Sequence, residues 1–223
     1  MVSVAGDIKK QEVLRTIMDF AGSVKRATKP PYVLPIEPAQ FAPRTVEKSL
    51  AMARIAQAQL GFRTIGLTDP DLYPVDVLAV IMGDGRTSRL YQTVRDEKGL
   101  VLSISAASWT PTFAKGQFLI SMDLAYKDLS DAIDAVWEEI SAVQKDSISK
   151  EALRRAKNKV VADHVYGQES AHSQARQLAV DWVTTGDPYF SENYVARTQE
   201  VTGEDVMRVA KKYFRRDRMT LAV

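Results

Sequence analysis

The sequence predicts an α+β protein in which an antiparallel-dominated sheet of about five or six strands carries its helices on one face. Three observations predict this class. Strand-like segments fall in neighbouring pairs, the chain beyond Leu124 is almost entirely helical, and no regular strand–helix–strand alternation runs through the sequence. Strands that are grouped apart from helices are typical of α+β folds.

The composition describes an ordinary globular chain and excludes several classes of function. The 223 residues are 45% hydrophobic and 26% charged, and their formal net charge is +2. This balance gives no electrostatic reason to expect nucleic acid as a partner. No apolar run approaches the roughly 18 to 20 residues of a membrane helix, so no membrane span is expected. The chain has no Cys, which excludes disulfides, thiolate catalysis and Cys-ligated zinc.

The N-terminal residues predict a strand and a helix that prolines separate from the rest of the chain. Val2 to Ala5 is a short apolar stretch typical of a strand, and apolar residues recur at helical spacing from Val13 to a stop at Gly22. Five of the nine prolines then fall within residues 29–43. Because proline lacks an N–H group and fixes φ, this stretch is predicted to be a linker.

The middle of the chain predicts most of the sheet and two helices. Residues 45–66 suit a pair of strands with one buried face, although their Ala content also permits a helix in part. Asp69-Pro70-Asp71 predicts the start of a helix that runs to about Met82, and Thr87-Ser88 predicts a second helix that ends near Gly99. Two further strands are expected, over Leu100–Trp109 and Gly116–Leu124.

The C-terminal part predicts helices and one last strand. Apolar residues at helical spacing predict a helix over Leu129–Lys145, and Ser149 opens another that reaches about Tyr166. Shorter helices are expected over residues 170–184, 191–198 and 202–214. The final residues, Met219–Val223, form a strand-like stretch similar to Val2–Ala5. This similarity suggests that the sequence contains a repeated structural unit that is truncated at both ends.

Two histidines, His164 and His172, are the candidate metal ligands, and their spacing argues against a zinc site. On one continuous helix their Cα atoms would lie about 12 Å apart, too far for both rings to bind one zinc ion. Neither H-E-x-x-H nor H-x-x-E-H occurs. The simplest interpretation is two histidines at the surface or at a rim. A triad of Asp163, His164 and Ser170 has no G-x-S-x-G elbow to support it.

One segment resembles a known family. It runs from Gly83 to Ser105 and reads G-D-G-R-T-S-R-L-Y-Q-T-V-R-D-E-K-G-L-V-L-S-I-S. It is similar to the glycine-containing loop, the S-R-L-[YF] helix and the following strand of the pitrilysin/insulinase-type metallopeptidases. This group has inverted zinc motifs and includes mitochondrial processing peptidase. Looser matches follow in the expected order, at Val4–Asp7, Gln59–Phe62, Ser149–Lys157 and Thr202–Val206.

The resemblance implies a domain organisation in which this chain is the C-terminal, non-zinc half of a two-halved enzyme. Residues 1–28 would be the terminal strand and helix of the preceding half, 29–43 the linker, and 44–223 the non-zinc domain. No cofactor is expected in this chain, and zinc is expected in an N-terminal half on the same polypeptide or on a separate subunit. A homodimer could also pair the orphaned N-terminal strand. The compartment stays open, since a periplasmic location would need a signal upstream of Met1.

The resemblance also supplies the candidate site residues. In the family's second half, an Arg and a Tyr seven residues later approach the scissile carbonyl. These positions correspond here to Arg95 and Leu102, and Leu102 has no hydrogen-bond donor. Gly83, Gly85 and Ser88 fall in the loop that handles substrate in the non-zinc subunit of processing peptidase, although a plain turn is an equal alternative.

The predicted function is therefore the non-catalytic half of a zinc-dependent metalloendopeptidase. It would close a chamber around peptide substrates and orient the scissile carbonyl through Arg95, with no catalytic or metal-binding residue of its own. The alternative is a structural or binding subunit of the same fold, similar to the core proteins of respiratory complexes, which the departure at Leu102 would suit. A module that binds anions or nucleotides at Gly83–Ser88 is a third, weaker alternative, because the loop lacks the Gly-Lys-Ser/Thr ending of a phosphate loop.

Overall fold

The computed structural model describes residues 2–25, 35 and 37–223, which form one five-stranded sheet and its helices. The strands are β1 (Arg44–Val46), β2 (Ala56–Arg63), β3 (Ser103–Trp109), β4 (Gln117–Leu124) and β5 (Met219–Ala222). The α-helices are α1 (Lys10–Ala21), α2 (Leu72–Gly83), α3 (Leu129–Lys145), α4 (Lys150–Tyr166), α5 (Ala171–Thr185), α6 (Phe190–Glu200) and α7 (Gly203–Tyr213). A π-helix spans Tyr91–Glu97.

The sheet confirms the predicted α+β class, and its strand order is β1-β5-β2-β4-β3. Strands β2, β3, β4 and β5 pair with one another antiparallel, and only β1 runs parallel to its neighbour β5. The two strands expected within residues 45–66 are present, but they do not pair with each other. The C-terminal strand β5 lies between them, so residues at opposite ends of the domain are adjacent in the sheet.

One face of the sheet carries the hydrophobic core. Along β2 the side chains of Ala58, Leu60 and Phe62 are buried, whereas the alternating residues point away from the helices. The Phe62 ring packs edge-on against Trp137 of α3, with ring centroids 5.7 Å apart, and lies 4.9 Å from the ring of Phe214. The helices therefore cover this face, as the sequence predicts.

The opposite face of the sheet is polar and open. Its exposed side chains bond across the strands: Gln59 donates to Ser121 Oγ at 3.0 Å, and Ser103 donates to Asp123 at 2.7 Å. A cleft of about 330 Å³ lies at this face, lined in part by Gln59 and Trp109. Such alternation is typical of an antiparallel sheet that buries only one side.

Helix α2 lies at the centre of the packed layer. Nine of its twelve residues are buried, which is the pattern of a helix surrounded by protein. Its C-terminal turn approaches β3 so closely that a Cβ on Gly83 would lie 2.2 Å from the backbone nitrogen of Ala106. Only glycine allows this approach, so Gly83 has a clear packing role.

A buried carboxylate ties the start of α2 to α7. Asp71 accepts hydrogen bonds from Arg208, Lys212 and the Tyr213 hydroxyl, each at 2.7 Å. Burial alone would raise the pKa of Asp71, but these three donors outweigh it and lower the pKa from 3.8 to about 2. The helix start predicted at Asp69-Pro70-Asp71 is present, since α2 begins at Leu72, but the Asp71 carboxylate makes no cap hydrogen bond and binds α7.

A second polar contact joins α2 to α6. The hydroxyl of Tyr194 donates to Asp76 Oδ2 at 2.7 Å. Burial raises the pKa of Asp76 above its usual range. Burial and the neighbouring Asp76 carboxylate also raise the pKa of Tyr194. The hydrogen bond therefore joins two groups whose surroundings disfavour a negative charge on either.

The N-terminal segment differs from the predictions in one respect. Helix α1 forms as expected, and none of its residues is buried. The strand predicted over Val2–Ala5 is wrong for this chain: these residues are in no strand, because no neighbouring strand of the described residues pairs with them. Residues 26–34 and 36, which include much of the predicted linker, lie outside the described residues. Within 37–43 no helix or strand forms, and Arg63 donates to the carbonyls of Glu37 and Pro38.

The helix predicted from Thr87 to Gly99 is present, but its last part is a π-helix. The Lys98 N–H donates to the Thr93 carbonyl at 3.0 Å, five residues back, and the turn ends at Gly99 with φ +63°. An apolar periodicity pattern cannot distinguish this wider turn from an α-helix over so short a segment. None of the helices in the described ranges is both long enough and apolar enough to cross a bilayer.

Candidate functional site

The side chain of Arg95 is held at the junction between the π-helix and β3. Its Nε donates to the carbonyl of Leu102 at 2.9 Å, and one terminal nitrogen donates to Asp96 Oδ1 at 2.9 Å and to the Tyr91 hydroxyl. The guanidinium carbon lies 4.6 Å from the centroid of the Tyr91 ring, which is a cation–π distance. About a third of the side chain, 36%, remains exposed.

The backbone around Arg95 is fixed from both sides. Leu90 and Val94, which share its helix, are fully buried in the core. On the strand side, the Leu102 N–H donates to the Asp123 carbonyl at 2.7 Å, which attaches the residue before β3 to β4. The two residues that the sequence singles out, Arg95 and Leu102, are thus brought together. Their contact uses the Leu102 carbonyl, and the Leu102 side chain is 60% exposed.

Two ion pairs attach the same segment to α3. Arg89 Nε lies 2.8 Å from Glu139 Oε2, and the Glu139 side chain is largely buried. Lys98 pairs with Glu138, the residue that precedes Glu139 on the same helix. The adjacent acidic residues at 138 and 139 therefore bind two cations at opposite ends of the Arg89–Lys98 segment and attach this segment to α3.

The glycine loop from Gly83 to Ser88 is a tight turn between α2 and the Arg95 helix. Gly85 has φ +84°, a conformation that favours glycine. Ser88 is buried, and its hydroxyl donates to the Gly85 carbonyl at 2.7 Å. Of the three loop residues named from the sequence, only Gly85 lies at the surface. Close packing and the internal hydrogen bond account for Gly83 and Ser88.

The histidines are separate from the Arg95 site. His164 stacks on Tyr194, with ring centroids 5.5 Å apart, and its Nε2 lies 2.7 Å from the Gln168 amide nitrogen. His172 is exposed on α5. Among residues 2–25, 35 and 37–223, no group of three His, Asp or Glu side chains could hold a metal ion.

Sequence reasoning missed the part that Tyr91 takes in this site. The residue belongs to the quoted S-R-L-Y motif, but no role was assigned to it. The available signal was its spacing: residues four apart on a helix lie on one face, so Tyr91 and Arg95 were candidates for contact. The polar pair of Asp76 and Tyr194 had no such signal, because 118 residues separate its members.

Comparison with known families gives a match over most of the chain. Residues 1–160 match the family model described as the Peptidase M16 inactive domain. An uncharacterized zinc protease of Streptomyces coelicolor is 26% identical over 218 residues, which cover 95% of this chain and 47% of that protein. The chain spans about half the length of the curated relatives it matches.

Solved structures show the same fold. A protease from Helicobacter pylori superposes with a TM-score of 0.83 at 22% identity, over 98% of this chain and 53% of that chain. A peptidase M16 inactive domain from Pseudomonas fluorescens superposes with a TM-score of 0.78 at 20% identity, over 97% of this chain and 51% of that chain. At these identities the likeness establishes the fold, and the Arg95 site must be judged on its own geometry.

Proposed function

Because this chain belongs to the M16 peptidase family and matches its inactive domain, we propose that it completes a zinc-dependent endopeptidase whose metal lies in a separate, zinc-bearing half. The observation that carries the proposal is the extent of the match. Nearly the whole chain corresponds to about half of relatives that are named zinc proteases, and the described residues contain no metal-binding cluster of their own.

The open sheet face suits a wall of the substrate chamber. Its Gln and Ser side chains offer donors and acceptors that can bind the backbone of an extended peptide, and charged residues such as Arg63 and Lys115 line the cleft at this face. The face would then contribute to binding, and the enclosed volume would form only when the second half closes over it.

The apolar surface of α1 suits a contact with the zinc-bearing half. The apolar stripe of α1 runs along Val13, Ile17 and Phe20; Phe20 is exposed and the other two are half-buried, although such a stripe is normally buried. We assign residues 1–28 to the preceding half, residues 29–43 to the linker and residues 44–223 to the inactive domain. In the assembled enzyme the α1 stripe would pack on the sheet of the partner.

Arg95 is the residue proposed to act on the substrate. Zinc in the other half would activate a water molecule and polarise the scissile carbonyl. As the tetrahedral intermediate forms, negative charge grows on the carbonyl oxygen, and a guanidinium that is already held in place stabilises it without reorganisation. The bonds to Leu102 and Asp96 hold the Arg95 side chain in one orientation while part of it stays open to a ligand.

The test is to assemble the chain with its zinc-bearing half and to measure chelator-sensitive peptide hydrolysis. The Arg95→Ala variant should lower kcat by about 100-fold to 1,000-fold, as expected for loss of an oxyanion donor, with a smaller change in KM. Arg95→Lys should retain part of kcat, since lysine keeps the positive charge but lacks the planar guanidinium with its paired N–H donors. Arg155→Ala is the matched control, because Arg155 lies on the surface of α4 and pairs there with Glu151 of the same helix.

The alternative subunit role gives a different result. A structural subunit would bind its partner half, and no peptide hydrolysis would depend on Arg95. Assembly without any chelator-sensitive activity, or full activity in Arg95→Ala, would contradict the enzymatic role of this half.

A further inference from the structure

We propose that the Tyr91 hydroxyl is a second hydrogen-bond donor to the substrate oxygen that Arg95 binds, and that it supplies the donor that the Leu102 side chain lacks. The inference rests on the proposed function, because it concerns the same substrate oxygen. It adds a residue for which neither the sequence motifs nor the family match predicts a role in catalysis.

The first step is the direction of the Tyr91–Arg95 hydrogen bond. Arg95 has only donors, so in its contact with Tyr91 the guanidinium donates and the phenol oxygen accepts. A phenol has one proton of its own, which this bond leaves unused. Within the part of the chain that the structure describes, no acceptor lies within hydrogen-bonding distance of that proton. The hydroxyl can therefore donate to a bound ligand.

The second step is the position of the hydroxyl. Arg95 uses Nε and one terminal nitrogen to bind Leu102, Asp96 and Tyr91, which leaves its second terminal nitrogen for a ligand. The proposed substrate oxygen accepts from that nitrogen and from the Tyr91 hydroxyl. The Tyr91 ring packs against the core and lies under the guanidinium, with 4.6 Å between the ring centroid and the guanidinium carbon. The ring is thus held from two sides, and its hydroxyl needs no rearrangement to reach the ligand.

The third step is the charge of the neighbour. A hydroxyl that accepts a hydrogen bond from a cation becomes polarised and donates more strongly to its own acceptor. Tyr91 and Arg95 together would then present two donors, one of them charged, to one oxygen. This is the arrangement that stabilises a developing oxyanion.

Leu102 contributes only its backbone to this arrangement. Its carbonyl accepts from Arg95 Nε at 2.9 Å and fixes the guanidinium from the side of β3. Its side chain is aliphatic and cannot donate. Because Leu102 is 60% exposed, a tyrosine fits at this position, and we use position 102 as the rescue site.

The decisive variant is Tyr91→Phe in the enzyme assembled from this chain and its zinc-bearing half. It keeps the aromatic ring and the cation–π contact and removes only the hydroxyl. We expect kcat to fall about 10-fold to 100-fold with KM changed less than about twofold. A peptide phosphinate that mimics the tetrahedral intermediate should lose affinity by a similar factor. Tyr91→Phe combined with Leu102→Tyr should recover most of the lost kcat.

Several results would overturn the inference. If Tyr91→Phe keeps full kcat while Arg95→Ala loses it, the Tyr91 inference fails and the proposed function stands. If neither variant loses kcat, both fail. If Tyr91→Phe loses kcat together with thermal stability, and Leu102→Tyr does not rescue it, Tyr91 only supports Arg95 structurally and the inference also fails.

Discussion

Helices α1 and α2 have the same length, twelve residues, and opposite surroundings. In α1 no residue is buried, whereas nine residues of α2 are. Phe20 of α1 is 89% exposed and Leu78 of α2 is 1% exposed. Both sequences contain enough apolar residues to form a helix that packs against protein. The difference lies in what surrounds each helix, since α2 is enclosed by β3, α4 and α7.

Among the described residues, α2 is surrounded by its own domain and α1 is not. A helix of this length is marginal in water without tertiary contacts, and the part of the chain that the structure describes leaves the apolar stripe of α1 uncovered. The proposed contact of α1 with the zinc-bearing half accounts for this. This agrees with a match that spans about half the length of the relatives. Stability should therefore depend on α2 in the isolated chain, and association should depend on α1.

The largest expected effect concerns the α2 core. Leu78→Ala should lower the free energy of unfolding of the isolated chain by about 2–5 kcal/mol, because it leaves a cavity in a fully packed site. The matched change on α1, Met18→Ala, should alter it by less than about 0.5 kcal/mol. Urea unfolding of both variants measures the difference, and equal losses would contradict the contrast between the two helices.

A smaller effect concerns the Asp71 contact between α2 and α7. The pKa of Asp71 is lowered from 3.8 to about 2, so the ionised form is favoured in the folded state. Its contribution, on the order of 2 kcal/mol, is present above about pH 4 and is lost as the pH falls toward about 2.

The matching experiment is acid unfolding of Asp71→Asn beside the unchanged chain. Asp71→Asn should lower stability at pH 7 and flatten the pH dependence between about pH 5 and 2. Asp131→Asn on α3 serves as the control, since Asp131 is exposed and forms no ion pair with any of the described residues. If the two variants have the same acid profile, Asp71 is not the group that makes this contact pH-dependent.

The smallest effect on stability comes from α1 itself. Deletion of residues 1–25 should change the free energy of unfolding of the remaining chain by less than about 0.5 kcal/mol, because α1 buries none of its side chains. The same deletion should abolish or strongly weaken binding to the zinc-bearing half, measured by calorimetry. A marked loss of stability in the isolated chain would show that α1 packs on its own domain.

Much of the fold follows from local patterns in the sequence. The alternation of Ala58, Leu60 and Phe62 with polar residues fixes the buried face of β2, and Gly99 marks the end of the Arg95 helix. The resemblance singled out positions 95 and 102 together, and the structure brings Arg95 to the backbone carbonyl of Leu102. In each case the signal lies within a few residues, where chain geometry leaves little freedom.

The rest depended on contacts that no local pattern encodes. Strand β5 lies between β1 and β2 because of long-range pairing, and Asp71 binds α7 because three donors, 137 to 142 residues away, converge on it. Val2–Ala5 has the composition of a strand but forms none, because a strand needs a neighbour. The four-residue spacing of Tyr91 and Arg95 is compatible with a contact between their side chains. Spacing alone does not show which of the two side chains donates the hydrogen bond.

The most direct test of the central claim is the peptidase activity of the purified 223-residue chain, alone and after addition of the zinc-bearing half. We predict that the chain alone contains no stoichiometric zinc and shows no chelator-sensitive peptide hydrolysis. Peptide hydrolysis should appear when the zinc-bearing half is added. Chelator-sensitive cleavage of peptides by the isolated chain would contradict this account.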